Sequence, residues 1–567
     1  MELFNVAVHQ VQQLTEHCAE SKLLLTAAVL APLSIAFFIF TFVAPRNAPP
    51  SLWDPIPYVF NTIQFAFNNE RFMVRVANIL QNSRIAKFHL VSTPVFLVSG
   101  PENIQTLFAR SHKVGNETIF LENVFPALYR MSKDEKQRFA DDKSGRGRQP
   151  APGTEHMPAH QRYWHGYEHV HSEYLSRAQH QRPMAEQFQT FIAAALDKHF
   201  PPGLAAKPET VSVMDFCRRH VAEAAVKTLL GPRIFELFPD VLDAFWEFDS
   251  NICLITLALP KWLFPGPYRA QERFYTIIRK YLAATYTDDA FDSVAAEADQ
   301  DGWNPKSGAR VSRELVKWLK TSGFQDEVAV GALAMLMFAM TSNTIPIVMW
   351  MMIEITRDPS LLCAVRDEVA QAYISQPGKD AASRTLDLDK LSTMPFLQSV
   401  FAEVLRLHMN FNLMRNVNEP IAVEGFTLPR GSMLQAPMKV AHYDETVWGA
   451  PGHAAAQFWA ERHIKYEETA DADGSVRKVP VFAMAGRPSS FFPFGGGQQI
   501  CPGRHLAKHE IFTVIALLVS KFEIEPLEWT NTDGSPSLRA ARGDPRFSGI
   551  GAMPPDRDLK MRWTRIG

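Results

Sequence analysis

The stretch FFPFGGGQQICPGRHLAKHE, residues 491–510, sets one cysteine, Cys501, in surroundings suited to a metal-bound thiolate. Three consecutive glycines, Gly495 to Gly497, free the backbone to take positive φ and to approach a flat ligand where a Cβ would collide. Pro502 and Gly503 tighten the exit, and helical spacing begins at Arg504. The sulfur then precedes a helix whose first N–H groups and positive dipole end face it, a setting that lowers a thiol pKa. An inert cysteine beside a glycine-rich turn is the plainer alternative for any single cysteine, so the decision rests on the rest of the chain.

Phe494, Gly497, Cys501 and Gly503 fall on the order FxxGxRxCxG, and Ala507 and Glu510 continue it as CxGxxxAxxE. This text resembles the signature of the cytochrome P-450 family. The resemblance implies haem b as cofactor and Cys501 as the axial iron ligand, whose electron donation favours O–O cleavage. Gln499 stands where that family usually has an arginine or histidine on a haem propionate. Glu403 and Arg406, in FAEVLRLH, lie three apart on one helix face. The segment FWAERH, residues 458–463, is similar to the family's FxPERF, so Arg462 completes a buried Glu–Arg–Arg cluster with a structural role. Arg415, in NLMRNV, matches the arginine that contacts a propionate in many members. Trp164 matches a family position too, but Glu168 occupies the basic position four residues later.

The chain has 567 residues, 46% of them hydrophobic, enough for a large core. A net charge of −2 and a pI near 6.8 give no support for a nucleic-acid partner. The five cysteines show neither zinc-ligand spacing nor a disulfide framework. Residues 23–43 carry no charge and, at about 1.5 Å per residue, reach across the hydrocarbon layer. They read as a transmembrane anchor after a short tail, 1–22, and before a proline-rich hinge, 44–57. Charge alone leaves the orientation open, since Lys22 on one side matches Arg46 on the other. The resemblance implies a cytosolic catalytic domain, 58–567, on the endoplasmic reticulum, contacting membrane lipid.

Within that domain, 94–100 reads as a short strand and 102–110 as a helix, followed by a solvated loop over 141–160. His156, His160, His165, His169 and His171 read as a polar surface set, not a metal site. Residues 184–200 and 213–230 read as amphipathic helices and 466–490 as a polar insertion, while 547–555 resembles the family's terminal hairpin, whose tip enters the substrate pocket. Residues 326–354 have no charge between Glu327 and Glu354 and read as one long buried helix. Its Met335, Phe338, Ala339, Met340 and Ser342 are pocket-lining candidates, and Met with Phe points to a lipophilic substrate.

The family usually has AGx(D/E)T(T/S) on that helix, an acid and an alcohol that relay protons to dioxygen. Here 339–344 read AMTSNT, with Ser342 at the acid position and Asn343 at the alcohol position, then Thr344. Asparagine supplies no ionisable proton, so Asn343 and Thr344 would act by holding ordered water. This AxxxNTxP text is similar to the branch containing sterol 7α- and 12α-hydroxylases and prostacyclin synthase. The expected fold is mainly α with minor β. The expected protein is a haem-thiolate monooxygenase of a lipophilic sterol, terpenoid or other secondary metabolite, drawing electrons from NADPH through a reductase docked near Arg504 and Lys508. A reductase-independent isomerase or dehydratase, and a non-catalytic membrane-anchored binding protein, are the alternatives.

Overall fold

The uncharged run read as one helix folds as two in line, Asp326–Thr341 and Thr344–Arg357, parted by Ser342 and Asn343. Pro346 explains the break: it has no N–H to donate to the carbonyl of Ser342, one turn back, yet it is tolerated in the first turn of a new helix. The pair is apolar enough to cross a membrane, with a mean hydropathy of 1.7, but 67% of that window is buried inside the protein. It is a core helix.

In the computed structural model residues 48–201, 207–286, 302–374, 385–470, 475–484 and 489–566 are described; the segment 23–43 read as an anchor lies outside them. Two large apolar clusters flank the central break. Val328 to Met337 pack with Phe245, Phe248, Phe274 and Tyr275. Ile345 to Ile355 pack instead with Val400, Val404 and the helix Arg504–Lys521. Ser342 and Asn343 therefore sit at the seam between the two clusters.

A six-stranded sheet covers one end. Its order is Ile85–Leu90, Thr93–Val98, Met433–Pro437, Met409–Val417 and Ile550–Ala552, with Val114–Gly115 also on Met409–Val417. Pairing is antiparallel except between Met433–Pro437 and Thr93–Val98. The chain enters along an edge, where Leu52 N–H donates to the Lys87 carbonyl at 2.7 Å and Leu52 is buried. Residues 102–109 fall in the helix Pro101–Ala109 with Arg110 at its C-cap, and the amphipathic segments form Ala178–His199 and three successive helical pieces from Val213 to Leu230.

The loop 141–160 differs from its reading as solvated throughout. Asp142 and Ser144 are buried, because Asp142 accepts from the Trp164 N–H at 3.0 Å and so caps the next helix from a distance. The polar insertion carries a two-stranded ribbon, Ile464–Ala470 with Val476–Phe482.

Candidate active site

The cysteine loop is closed by its own backbone: Cys501 N–H donates to the Phe494 carbonyl at 2.9 Å and Gly495 N–H to that of Phe492 at 2.8 Å. Gly495 and Gly497 take positive φ, 72° and 65°. Gly496 is extended, and it is small for another reason: a Cβ there would lie 2.4 Å from the Phe108 ring. At this point the glycines admit a neighbouring helix. Phe494 packs near Phe401, their ring centroids 6.5 Å apart. Gly503 caps the helix Arg504–Lys521, and Cys501 is exposed.

Burial of its surroundings raises the Cys501 thiol above its ordinary pKa, against the Gly503 and Arg504 N–H groups and the Arg504 guanidinium. The expectation of a lowered pKa is thus reversed for the chain by itself, since two amides and one cation do not outweigh lost hydration. A coordinated cation deprotonates a thiol outright. Among the described residues no three His, Cys, Asp or Glu converge on a metal position.

Beneath the loop, Glu403, Arg406 and Arg462 come together, fully buried. Arg406 donates to both carboxylate oxygens of Glu403, at 2.8 and 2.7 Å, and Arg462 Nε donates to Oε1 at 2.8 Å. The arginines spend their remaining N–H groups on the carbonyls of His442, Trp448, Ala454 and Gln457. Burial alone would raise the Glu403 pKa, but bonds from Arg406, His463 and Arg462 bring it down to about 2. His442, absent from the sequence reading, ties this cluster to the loop. Its carbonyl accepts from Arg406 at 2.6 Å, and its Nε2 accepts from the Phe492 N–H at 3.3 Å.

A second polar group lies beside the loop. Gln499 Nε2 donates to Asn116 Oδ1 at 3.1 Å, while its Oε1 is buried without a partner. Asn116 also accepts from Arg146 at 2.7 Å. Arg146 pairs with Glu117 and Glu168 and lies over the Trp164 ring at 4.4 Å, so the basic group missing at position 168 comes from the loop instead. Trp164 Nε1 is committed to the Phe139 carbonyl at 2.9 Å. Arg415 has no carboxylate within ion-pair range among the described residues. Burial, with the Arg146 charge nearby, lowers its pKa to about 10.

On the central helix the residues left open beyond the first turn are Met335, Phe338, Ala339 and Met340, followed by Ser342 and Asn343 at the break. Positions 335, 338, 339, 342 and 343 form one stripe. Ser342 Oγ donates to Asp249 Oδ1 at 2.5 Å. Asn343 Oδ1 accepts the Ala552 N–H at 2.9 Å, which brings the terminal strand Ile550–Ala552 against the break. Thr344 is turned into the core, and the Asn343 carbonyl oxygen is already engaged, which separates these two residues as partners for one water. Lys508 is not a free surface cation: its Nζ donates to the Ser392 carbonyl and Gln398 Oε1, both at 2.9 Å. A groove of about 1750 Å³ lies elsewhere, lined by Arg182, Asp389, His505 and His509, and contains none of these residues.

Residues 153–539 match the profile of the family Cytochrome P450. Cytochrome P450 monooxygenase calL of Penicillium decumbens is 40% identical over 518 residues, covering 91% of this chain and 93% of that one. Cholesterol 7-alpha-monooxygenase of Cricetulus griseus is 24% identical over 368 residues, covering 62% and 66%. Among solved structures, retinoic acid bound cyanobacterial CYP120A1 aligns with a TM-score of 0.60 at 17% identity, covering 91% of this chain and 99% of that one, a likeness of fold. The chain belongs to the cytochrome P450 family and is a P450 monooxygenase.

The family implies a haem-thiolate centre, and the residues present fit one. Cys501 carries a thiol that burial sets in a weakly hydrated position at the mouth of the glycine loop. Among the described residues Arg415 has no carboxylate within ion-pair range and Gln499 retains an unpartnered buried oxygen.

Proposed function

We propose that this monooxygenase hydroxylates a lipophilic substrate of the sterol or terpenoid class, held by Met335, Phe338 and Ala339 of the open stripe with Met340 beside them. Cys501 would hold the haem iron and Arg415 would offer its charge to a propionate. The haem, when bound, supplies the activation of O₂. Electrons come from NADPH through a flavoprotein reductase, and residues 23–43 anchor the enzyme in the endoplasmic reticulum membrane with the catalytic domain in the cytosol.

The observation that carries the substrate class is the open stripe on an otherwise buried helix. Its side chains are a thioether, an aromatic ring and a methyl group, which reward apolar contact and adapt in shape. Ser342 and Asn343 end the stripe with polar groups suited to orienting one oxygen function. The name of the Cricetulus griseus relative, a cholesterol monooxygenase, supports the sterol arm.

The test is turnover of a panel of sterols, terpenoids and fatty acids by the protein co-expressed with a reductase, under isotopically labelled dioxygen. A hydroxylated sterol or terpenoid that carries label and requires NADPH is the expected product. Exclusive turnover of fatty acids would overturn the substrate class, and an unlabelled, rearranged product formed without reductase would overturn hydroxylation.

A further inference from the structure

The central helix lacks the acid expected at position 342, yet an acid is present there in space. Asp249, the last residue of the helix Val241–Asp249, places Oδ1 2.5 Å from Ser342 Oγ. Asp249 is only 5% exposed, and Ser342 is its side chain's hydrogen-bond partner among the described residues. The ring of the preceding Phe248 lies 6.5 Å from that of Phe338, so the end of this helix is seated beside the open stripe. Ser342 is thus a hydroxyl with an acid on one side and the stripe on the other.

We infer that Asp249 supplies, from a separate helix, the proton that the central helix cannot, and that Ser342 passes it to the open stripe. A serine hydroxyl both donates and accepts, so it can relay a proton that a methyl group would block. In the step, the Ser342 hydroxyl turns from Asp249 toward the open stripe, its Oγ gains the proton as the Asp249 O–H bond breaks, and it gives its own proton to an oxygen acceptor held against the stripe. Asp249 is left as a carboxylate facing the Arg218 charge, and solvent at the small exposed edge of the residue returns the proton. Monooxygenation consumes protons together with electrons, so the established activity provides the demand. Asp249 acts through Ser342 and is a positioning residue.

The charged surroundings suit this role. Burial raises the Asp249 pKa to about 6, while the Ser342 hydrogen bond and the Arg218 charge lower it. Arg218 lies on the segment Cys217–Val221, with its guanidinium 5.2 Å over the Trp246 ring. The packed helix Pro265–Thr285 directs Arg273 to Asp240 and Glu247 and sets Phe274 and Tyr275 against Phe248. Ser342 and Arg218 are therefore the groups that act on Asp249. An acid of this kind works near its own pKa, which is the condition for efficient general acid catalysis.

The experiment compares holoprotein of wild type, Asp249→Asn, Asp249→Glu and Ser342→Ala. Infrared difference spectra against pH, which need no substrate, should show a carboxyl titrating near pH 6 that is absent in Asp249→Asn and displaced in Ser342→Ala. Reductase-driven oxidation of NADPH, without added substrate, is then partitioned between hydrogen peroxide and water. In wild type that partition should change with pH through the same range. In Asp249→Asn and Ser342→Ala it should shift by about tenfold and lose its pH dependence, and Asp249→Glu should keep the dependence. Should Asp249→Asn fail to retain haem, Ser342→Ala decides, since it removes only the hydroxyl. With the Glu354 carboxyl, which burial raises to about 7, assigned through Glu354→Gln, a titration near pH 6 that Asp249→Asn leaves undiminished, or a partition indifferent to loss of the Ser342 hydroxyl, would overturn the relay.

Discussion

Burial raises the Cys501 thiol pKa against two backbone N–H groups and Arg504, and a coordinated cation would deprotonate it outright. Cys501→Ala should therefore abolish the red-shifted Soret band of the reduced, CO-bound protein, and a wild-type spectrum of the histidine-ligated kind would remove Cys501 as the ligand. Glu403 makes a separate prediction through its depressed pKa. A carboxylate lowered from 4.5 to about 2 contributes stability that is present above pH 4.5 and is lost as pH falls toward 2. Removing it strands Arg406 and Arg462, at roughly 3 to 5 kcal/mol. Glu403→Ala should give little holoprotein at neutral pH, whereas Glu403→Gln should fold better and lose most of the acid dependence. Equal stability of all three between pH 5 and 7 would show that the buried pair contributes nothing.

For elements, the glycine run shows how much local text can say. The positive φ of Gly495 and Gly497 is legible from composition, because the turn demands it. The reason for Gly496 is not, since it is the Phe108 ring arriving from the helix Pro101–Ala109. Gly496→Ala should lower haem retention at least severalfold, and adding Phe108→Ala should restore much of it; failure of that rescue would place the constraint in the backbone. The central helix teaches the same lesson. Its apolar length and its Pro346 are on the page of the sequence, whereas the carboxyl at its break comes from 93 residues away and no spacing rule connects Ser342 to Asp249. His442 and Arg146 were equally invisible, for each acts through groups brought together by folding.

For the whole molecule, the two apolar clusters share one helix, and the polar seam between them is where the helix breaks. The catalytic body has its own core and sheet, into which residues 50–52 are already tied by the Lys87 bonds. On the proposed anchoring by residues 23–43, removal of residues 1–43 should move the protein from the membrane pellet to the supernatant while it keeps its CO-bound Soret band. Retention in the pellet at full length of haem content would show that another surface holds it to the membrane.

By itself the sequence determined the cysteine loop, the Glu403 and Arg406 pair and the apolar run from Met335 to Asn343, because each is written in spacings that one loop or one helix turn imposes, while resemblance of FWAERH to a family motif added Arg462. Only the tertiary structure decided which polar groups complete those sets. Asp249 at Ser342, Arg146 beside Gln499 and His442 under the loop are pairings between distant segments, and burial in a shared core, which no local period encodes, is what makes each of them strong.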